Sequence, residues 1–222
     1  MTTTTVLFDL DGTLADTAPD LGLALNMQRA RHGLPPLPQE IIRPHASHGS
    51  RGLLGIGFKL APEDAAFPAM RNEYLALYDQ VFTHAPCLFP GMDEVLKALH
   101  AAGMQWGVVT NKPARFTDRL MQALGLAETA ACIISGDSTA RAKPHPDGLL
   151  LACELANCAP QSCIYIGDAE RDIIAGNAAG MRTVVARWGY LDEHDTPENW
   201  GADWMVDTPS QLLAYLREIF SI

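Results

Sequence analysis

The strongest constraint on the fold is an alternation of short apolar segments with longer segments of helical periodicity. The apolar segments are residues 6–10, 106–110, 132–135, 163–167, 183–187 and 204–206. The helical segments between most of them are residues 92–102, 115–124, 147–155 and 171–179. Strands that are apolar throughout and separated by helices form a parallel sheet with helices on both faces. The pattern therefore predicts an α/β fold with a doubly wound, Rossmann-like parallel sheet.

A long segment after the first predicted strand interrupts this alternation. Residues 18–31 and 63–83 have helical periodicity, and residues 35–61 between them contain four glycines and no strand pattern. This arrangement predicts an all-helical insertion into the sheet domain. The predicted domains are an α/β core of residues 1–15 and 88–222 and a helical cap of residues 16–87.

Composition narrows the classes of partner. The chain has 222 residues, of which 48% are hydrophobic and 19% charged, as in ordinary globular proteins. Its formal net charge of −10 repels nucleic acids and anionic membrane surfaces, so we expect neither as a partner. No apolar run approaches the roughly 20 residues of a membrane span. We expect a cytoplasmic monomer or homodimer that acts on a small molecule, with a frayed start at residues 2–5.

The cysteines are also consistent with a reducing compartment. Five stand at positions 87, 132, 153, 158 and 163, an odd number without a CxxC pair. We interpret Cys153, Cys158 and Cys163 as buried structural thiols. The alternative is a metal site.

Two carboxylates lie at the carboxyl end of the first predicted strand. Asp9 and Asp11 are two residues apart, so in a strand they point to the same side. Two neighbouring buried carboxylates are costly unless a cation neutralises them. The alternative is a turn, since Asp-Gly-Thr is good turn chemistry.

Polar residues follow other predicted strands, at the edge where open α/β sheets bind ligands. The hydroxyl of Thr110 and backbone N–H groups near Asn111 are candidates to bind phosphate, although Thr110 also suits a helix N-cap. Lys143 precedes a predicted helix, where its ammonium could meet an anion or simply be solvated. Asp168 and Asp172 add two carboxylates. Ligands that are all oxygen indicate a hard cation, and we predict Mg²⁺.

This order of motifs resembles the haloacid dehalogenase superfamily over nearly the whole chain. The resemblance implies that Asp9 is a nucleophile and that Asp11 is the general acid and base, with its backbone carbonyl on Mg²⁺. It also implies that Thr110 and Lys143 bind phosphate. Asp168 would be a direct metal ligand, with Asp172 in support.

Other segments narrow the resemblance. Residues 106–113, 115–116 and 124–126 resemble phosphoglycolate phosphatases, and residues 189–203 resemble the N-acetylmuramic acid 6-phosphate phosphatases. We therefore predict a Mg²⁺-dependent phosphomonoesterase that forms an aspartyl-phosphate. The favoured substrate is N-acetylmuramic acid 6-phosphate, with phosphoglycolate second.

Several alternatives stay open. Asp11 disfavours the dehalogenase branch, but a β-phosphoglucomutase-like phosphotransferase shares the Asp-x-Asp pair. A phospho-acceptor signalling domain also uses an Asp with Mg²⁺, although it needs neither Asp11 nor a long insertion. A non-catalytic binding protein could retain the fold.

We expect substrate contacts in the helical insertion. The candidates are Arg43, Ser47, His48 and Arg51, which lie in a polar segment that could reach a carboxylate or sugar hydroxyls. The alternative is a solvated loop between helices.

Overall fold

A computed structural model describes residues 5–220 and contains one six-stranded parallel sheet. Its strands are β1 (Thr5–Phe8), β2 (Gln105–Val109), β3 (Ile133–Ile134), β4 (Cys163–Gly167), β5 (Arg182–Ala186) and β6 (Trp204–Val206). The strand order is β3-β2-β1-β4-β5-β6, so β1 lies in the centre between β2 and β4. The predicted doubly wound parallel sheet is confirmed.

Both faces of the sheet are buried because helices cover each of them. The core helices are α5 (Met92–Ala101), α6 (Ala114–Ala123), α7 (Asp147–Ala156), α8 (Glu170–Ala179) and α9 (Pro209–Phe220). Val6 and Phe8 pack into one apolar cluster, and Leu7 packs into another. This division follows from the period of two in strand side chains. It explains why the strands are apolar throughout.

The start of the sheet differs from the expectation in two ways. β1 ends at Phe8 instead of residue 10, because the chain turns and Leu14 and Ala15 both donate N–H groups to the Leu10 carbonyl. Thr5 belongs to β1 and is fully buried, so a frayed start at that residue is wrong. Residues 2–4 of the predicted frayed start lie outside the described part of the chain.

The segment between β1 and α5 is helical. It contains α1 (Ala18–Arg31), α2 (Gln39–Ile42), a 3₁₀ helix (Arg43–His48), α3 (Gly49–Phe58) and α4 (Phe67–Val81). The last helix begins four residues later than predicted. Asp64 accounts for this, because its carboxylate accepts the Ala61 N–H at 2.6 Å and forms a turn ahead of α4.

The two connections between this helical insertion and the sheet run side by side. The Asp16 N–H donates to the Cys87 carbonyl at 3.0 Å, and the Phe89 N–H donates to the Leu14 carbonyl at 3.2 Å. Tyr190, which follows β5, holds the start of α1, since its hydroxyl accepts the N–H groups of Thr17 and Ala18 at 2.6 and 2.9 Å. The insertion is thus joined to the core at one compact point.

Helix length also bears on the membrane question. Over residues 5–220, none of the helices combines the length and apolar character that a bilayer crossing requires.

Candidate active site

The polar motifs meet at the carboxyl edge of the sheet. Asp9 follows β1, Thr110 follows β2 and Asp168 follows β4, and these three strands are neighbours in the sheet. Parallel strands end at the same edge, so residues that are distant in the chain come together there.

Three carboxylates form a compact, buried group at this edge. Asp9, Asp168 and Asp172 are 3%, 1% and 0% exposed, and one oxygen of each lies within 4.8 Å of the others. Asp172 lies in the first turn of α8, where its side chain accepts the Ala169 N–H at 3.0 Å. Three buried like charges repel one another unless a proton or a cation neutralises them.

Burial accordingly changes the acidity of the group. It raises the pKa of Asp9, against the opposing effect of the Lys143 ammonium. Burial, followed by the charges of Asp9 and Asp172, raises the pKa of Asp168 to about 7. All donor atoms are oxygens, which suits a hard divalent cation better than a soft one. The residues therefore fit a metal site.

We expect Mg²⁺ to stabilise the protein more at about pH 8 than at about pH 5.5. Metal-free folded Asp168 holds its proton up to about pH 7, whereas the unfolded residue loses it near pH 4. Folded Asp168 therefore binds more protons than unfolded Asp168 between about pH 4 and about pH 7, and the free energy of unfolding falls as pH rises through this window.

Saturating Mg²⁺ should raise Tm by about 5–10 °C at the higher pH. Thermal denaturation with Mg²⁺ or EDTA measures this, and Asp168→Asn should remove most of the gain. An equal gain in Tm at both pH values would contradict the assignment of Asp168 as a metal ligand.

Lys143 is the central cation of the group. Its ammonium lies 2.9 Å from Asp9 Oδ1, 2.7 Å from Asp172 Oδ1 and 2.7 Å from the Tyr165 hydroxyl. Asn111 fixes the backbone of Lys143, accepting its N–H at 3.0 Å and donating to its carbonyl at 2.9 Å. The side chain of Asn111 is thus engaged with Lys143, while the residue itself lines the cavity above.

Asp11 has a different environment from Asp9. Its Oδ1 accepts hydrogen bonds from Thr17 Oγ1 at 2.6 Å and from Lys112 Nζ at 2.9 Å. The Lys112 ammonium also lies 2.8 Å from the hydroxyl of Tyr78 on α4. Sequence reasoning missed Lys112, although it follows Thr110 and Asn111, because a lysine after a strand is usually solvated. Here its side chain is only 5% exposed.

Donors from several segments surround Asp168. Thr13 Oγ1 and the Tyr190 N–H donate to it at 3.1 and 3.0 Å, and Ser47 Oγ from the helical insertion donates at 2.6 Å. Gly12 has a φ of +85°, and a side chain at that position would overlap the Asp168 carboxylate. The turn after β1 therefore requires glycine.

A cavity of about 940 Å³ lies between this edge and the helical insertion. Asp9, Asp11 and Thr110 form part of its floor. The predicted residues Ser47, His48 and Arg51 line it from the insertion. Sequence reasoning missed two further lining residues, Arg71 on α4 of the insertion and Arg171 on α8 of the core. The pKa of His48 is lowered by burial and then by the Arg171 charge. Three arginines give the cavity a cationic rim in an acidic protein.

Arg43 is placed elsewhere. Its guanidinium pairs with Asp16 at 3.0 Å and lies over the rings of Tyr190 and Phe89, at 5.1 and 5.7 Å from their centroids. It is not among the residues that line the cavity. Arg43 therefore braces the connection between the insertion and the core.

A doubly wound sheet with carboxylates and a lysine at its carboxyl edge, beneath a helical insertion, is the arrangement that the resemblance to the haloacid dehalogenase superfamily implied. Residues 6–186 match the family of haloacid dehalogenase-like hydrolases, and the chain belongs to that family. The family predicted from the motifs is confirmed.

Relatives narrow the class to phosphatases. The chain is 44% identical to the N-acetylmuramic acid 6-phosphate phosphatase of Pseudomonas putida, over 93% of both chains. It is 42% identical to the phosphoglycolate phosphatase of Xanthomonas campestris, also over 93% of both. The crystal structure of a predicted phosphoglycolate phosphatase from Haemophilus somnus has a TM-score of 0.80 and 26% identity, covering 96% of this chain and 97% of that one. The chain is therefore a phosphatase, and its resemblance to both named groups is confirmed.

Proposed function

We propose that this phosphatase is a Mg²⁺-dependent phosphomonoesterase that forms a phosphoryl intermediate on Asp9. The observation that carries the proposal is the position of Asp9. Its carboxylate is buried beside Lys143 and the Asp168 carboxylate, and it forms part of the floor of a large cavity. A carboxylate nucleophile divides a difficult hydrolysis into two easier steps.

The first step forms a bond from an Asp9 carboxylate oxygen to phosphorus and breaks the ester bond. Asp11 gives its proton to the departing alkoxide, which leaves as an alcohol. In the second step Asp11 takes a proton from water, whose oxygen attacks the phosphorus and returns Asp9 as a carboxylate. Lys112 and Thr17 hold the Asp11 side chain for both transfers. General acid–base help of this kind contributes about 10²–10⁴-fold.

Positive charge must offset the repulsion between the Asp9 carboxylate and the phosphate group of the substrate. The Lys143 ammonium, 2.9 Å from Asp9, supplies part of it. A bound Mg²⁺ would supply the rest, by drawing charge from the phosphate oxygens. We propose that Asp9, Asp168 and the backbone carbonyl of Asp11 hold it. Asp172 supports the site by its 2.7 Å ion pair with Lys143.

Thr110 and Asn111 are proposed to bind the transferring phosphate. Thr110 Oγ1 accepts the Lys112 N–H at 3.2 Å. Among residues 5–220 it has no acceptor for its own O–H, which leaves that group to donate to a phosphate oxygen. The second proposed donor is the backbone N–H of Asn111, because this residue directly follows Thr110 at the end of β2.

We propose that residues 16–87 act as a cap over the core formed by residues 1–15 and 88–222. The paired connections at Asp16 and Cys87 would let the cap move as a unit, and contact between Ser47 and Asp168 marks where it meets the site. Closure excludes water, which strengthens the electrostatic interactions inside.

The cavity favours N-acetylmuramic acid 6-phosphate as the substrate. A volume of about 940 Å³ is large for a two-carbon acid such as phosphoglycolate, since pockets of about 300–1,000 Å³ hold drug-sized molecules. The rim offers His48 and Arg51 as polar partners for a sugar and its carboxylate. The relative from Pseudomonas putida bears the name of this substrate.

We expect kcat/KM for N-acetylmuramic acid 6-phosphate to exceed that for phosphoglycolate by about 10–100-fold, the effect of one or two hydrogen bonds to charged groups. EDTA should abolish both activities. Arg51→Gln should raise KM for the carboxylate-bearing substrates and leave p-nitrophenyl phosphate unaffected. Arg217→Gln, an exposed arginine at the end of α9, is the matched control. Equal or higher kcat/KM for phosphoglycolate would refute the substrate assignment.

A further inference from the structure

A second group of metal-ligating side chains lies at the opposite edge of the sheet. Cys163 is the first residue of β4, whereas Asp168 directly follows the last. Cys153 lies in the last turns of α7, and Cys158 lies in the connection from α7 to β4. The group is therefore separate from the carboxylates by the length of β4.

The three sulfurs are spaced for a common ligand. Cys163 Sγ lies 3.2 Å from Cys158 Sγ and 3.7 Å from Cys153 Sγ, and all three sulfurs lie within 4.8 Å of one another. Metal–thiolate bonds of about 2.3 Å place sulfurs roughly 3.8–4.0 Å apart in tetrahedral or trigonal sites. A cation could reach all three with side-chain movements of a few tenths of an ångström.

The surroundings of the group favour a soft cation. Cys153 and Cys163 belong to a buried apolar cluster. Cys158 is only half-buried, and it lines a recess of about 560 Å³ with Cys153, Glu154 and Asn157. This recess gives access from the surface to Cys153 and Cys158. Thiolates bind soft or borderline cations and discriminate against Mg²⁺.

We propose that Cys153, Cys158 and Cys163 form a binding site for a thiophilic d¹⁰ cation such as Zn²⁺ or Cd²⁺. Each thiol loses its proton to solvent as its sulfur binds the metal. The bound ion joins the end of α7 to the start of β4, and it is independent of the metal at the carboxylates. The 3₁₀ turn Pro160–Ser162 between Cys158 and Cys163 maintains their spacing.

Titration with Cd²⁺ tests the site in the intact protein. The buffer contains a phosphine reductant and a large excess of Mg²⁺ to occupy the carboxylates, and the thiolate-to-cadmium absorption in the ultraviolet reports sulfur ligands specifically. We expect the band to saturate at one equivalent. Cys158→Ser, at a half-buried position that tolerates the change, should lose the band or saturate at least about tenfold more weakly.

Cys87→Ser is the matched control, because Cys87 is exposed and lies outside the group. It should keep the band unchanged. Absence of the band from the wild-type protein, or an unchanged band in folded Cys158→Ser, would overturn the proposal. So would a count of only three reactive thiols in freshly prepared, denatured protein, since Cys158 and Cys163 would then be joined as a disulfide.

Discussion

Asp9→Asn is expected to lower kcat for p-nitrophenyl phosphate by on the order of 10⁴-fold or more, the range that follows removal of a covalent nucleophile. An amide oxygen is too weak a nucleophile to form the phosphoryl intermediate. The substitution also removes one buried negative charge from beside Asp168 and Asp172. The fold should therefore survive, with a metal-free Tm no lower than that of the wild type.

Steady-state kinetics, circular dichroism and chemical quench together measure this result. Acid-quenched wild-type protein should carry substrate-derived phosphate, and the Asp9→Asn protein should carry none. Asp118→Asn, an exposed aspartate on α6, should retain full activity and labelling. A kcat within tenfold of the wild type in folded Asp9→Asn protein would remove Asp9 from the nucleophile role.

Asp11→Asn should lower kcat by about 10²–10⁴-fold, the usual contribution of general acid–base catalysis. The two steps should respond differently to the leaving group. p-Nitrophenolate departs without a proton, so the first step should persist with p-nitrophenyl phosphate while breakdown of the intermediate stalls. Rapid-mixing experiments should then show a burst of about one equivalent of p-nitrophenol, with phosphate retained on the protein. A sugar phosphate, whose alkoxide needs the proton, should give no burst.

Substitution of Lys112 tests the role of Asp11 in a second way. Its ammonium lies 2.9 Å from Asp11 and 2.8 Å from Tyr78, and replacing it with methionine removes both contacts without removing Asp11. Lys112→Met should lower kcat, because Asp11 then keeps only Thr17 of the two donors that hold its side chain. If folded Asp11→Asn protein turns over p-nitrophenyl phosphate slowly and without a burst, the acid–base role belongs to another residue.

The sequence predicted the sheet well because its signals are local. Each strand contains an apolar run, and the runs at 163–167 and 204–206 coincide with β4 and β6. Gly103, Gly125 and Gly180 follow helices with positive φ, the conformation in which glycine commonly ends a helix. Once the strands are parallel, residues that end them must share an edge. The meeting of Asp9 and Asp168 therefore follows from strand assignments alone.

Local sequence patterns did not determine where the long arginine side chains point. Arg43 and Arg51 looked equivalent in the sequence, yet Arg51 lines the cavity and Arg43 stacks over Tyr190, which stands far away in the chain. Arg71 lies on α4, in a segment for which the sequence predicted helical structure and no contact with substrate. Helical spacing predicts a face, but the packing of α4 against the rest of the molecule decides which residues of that face reach the cavity.

By itself, the sequence determined the doubly wound sheet, the helical character of the insertion and the order of acidic motifs on strand ends. These features depend on periodicity and on residues within one turn or strand, where neighbours in the chain are neighbours in space. Only the tertiary structure decided that Lys112 meets Asp11, 101 residues away, and that three cysteines from a helix, a loop and a strand meet at one point. Such contacts arise from how separate elements pack, and their geometry has no counterpart in any local pattern.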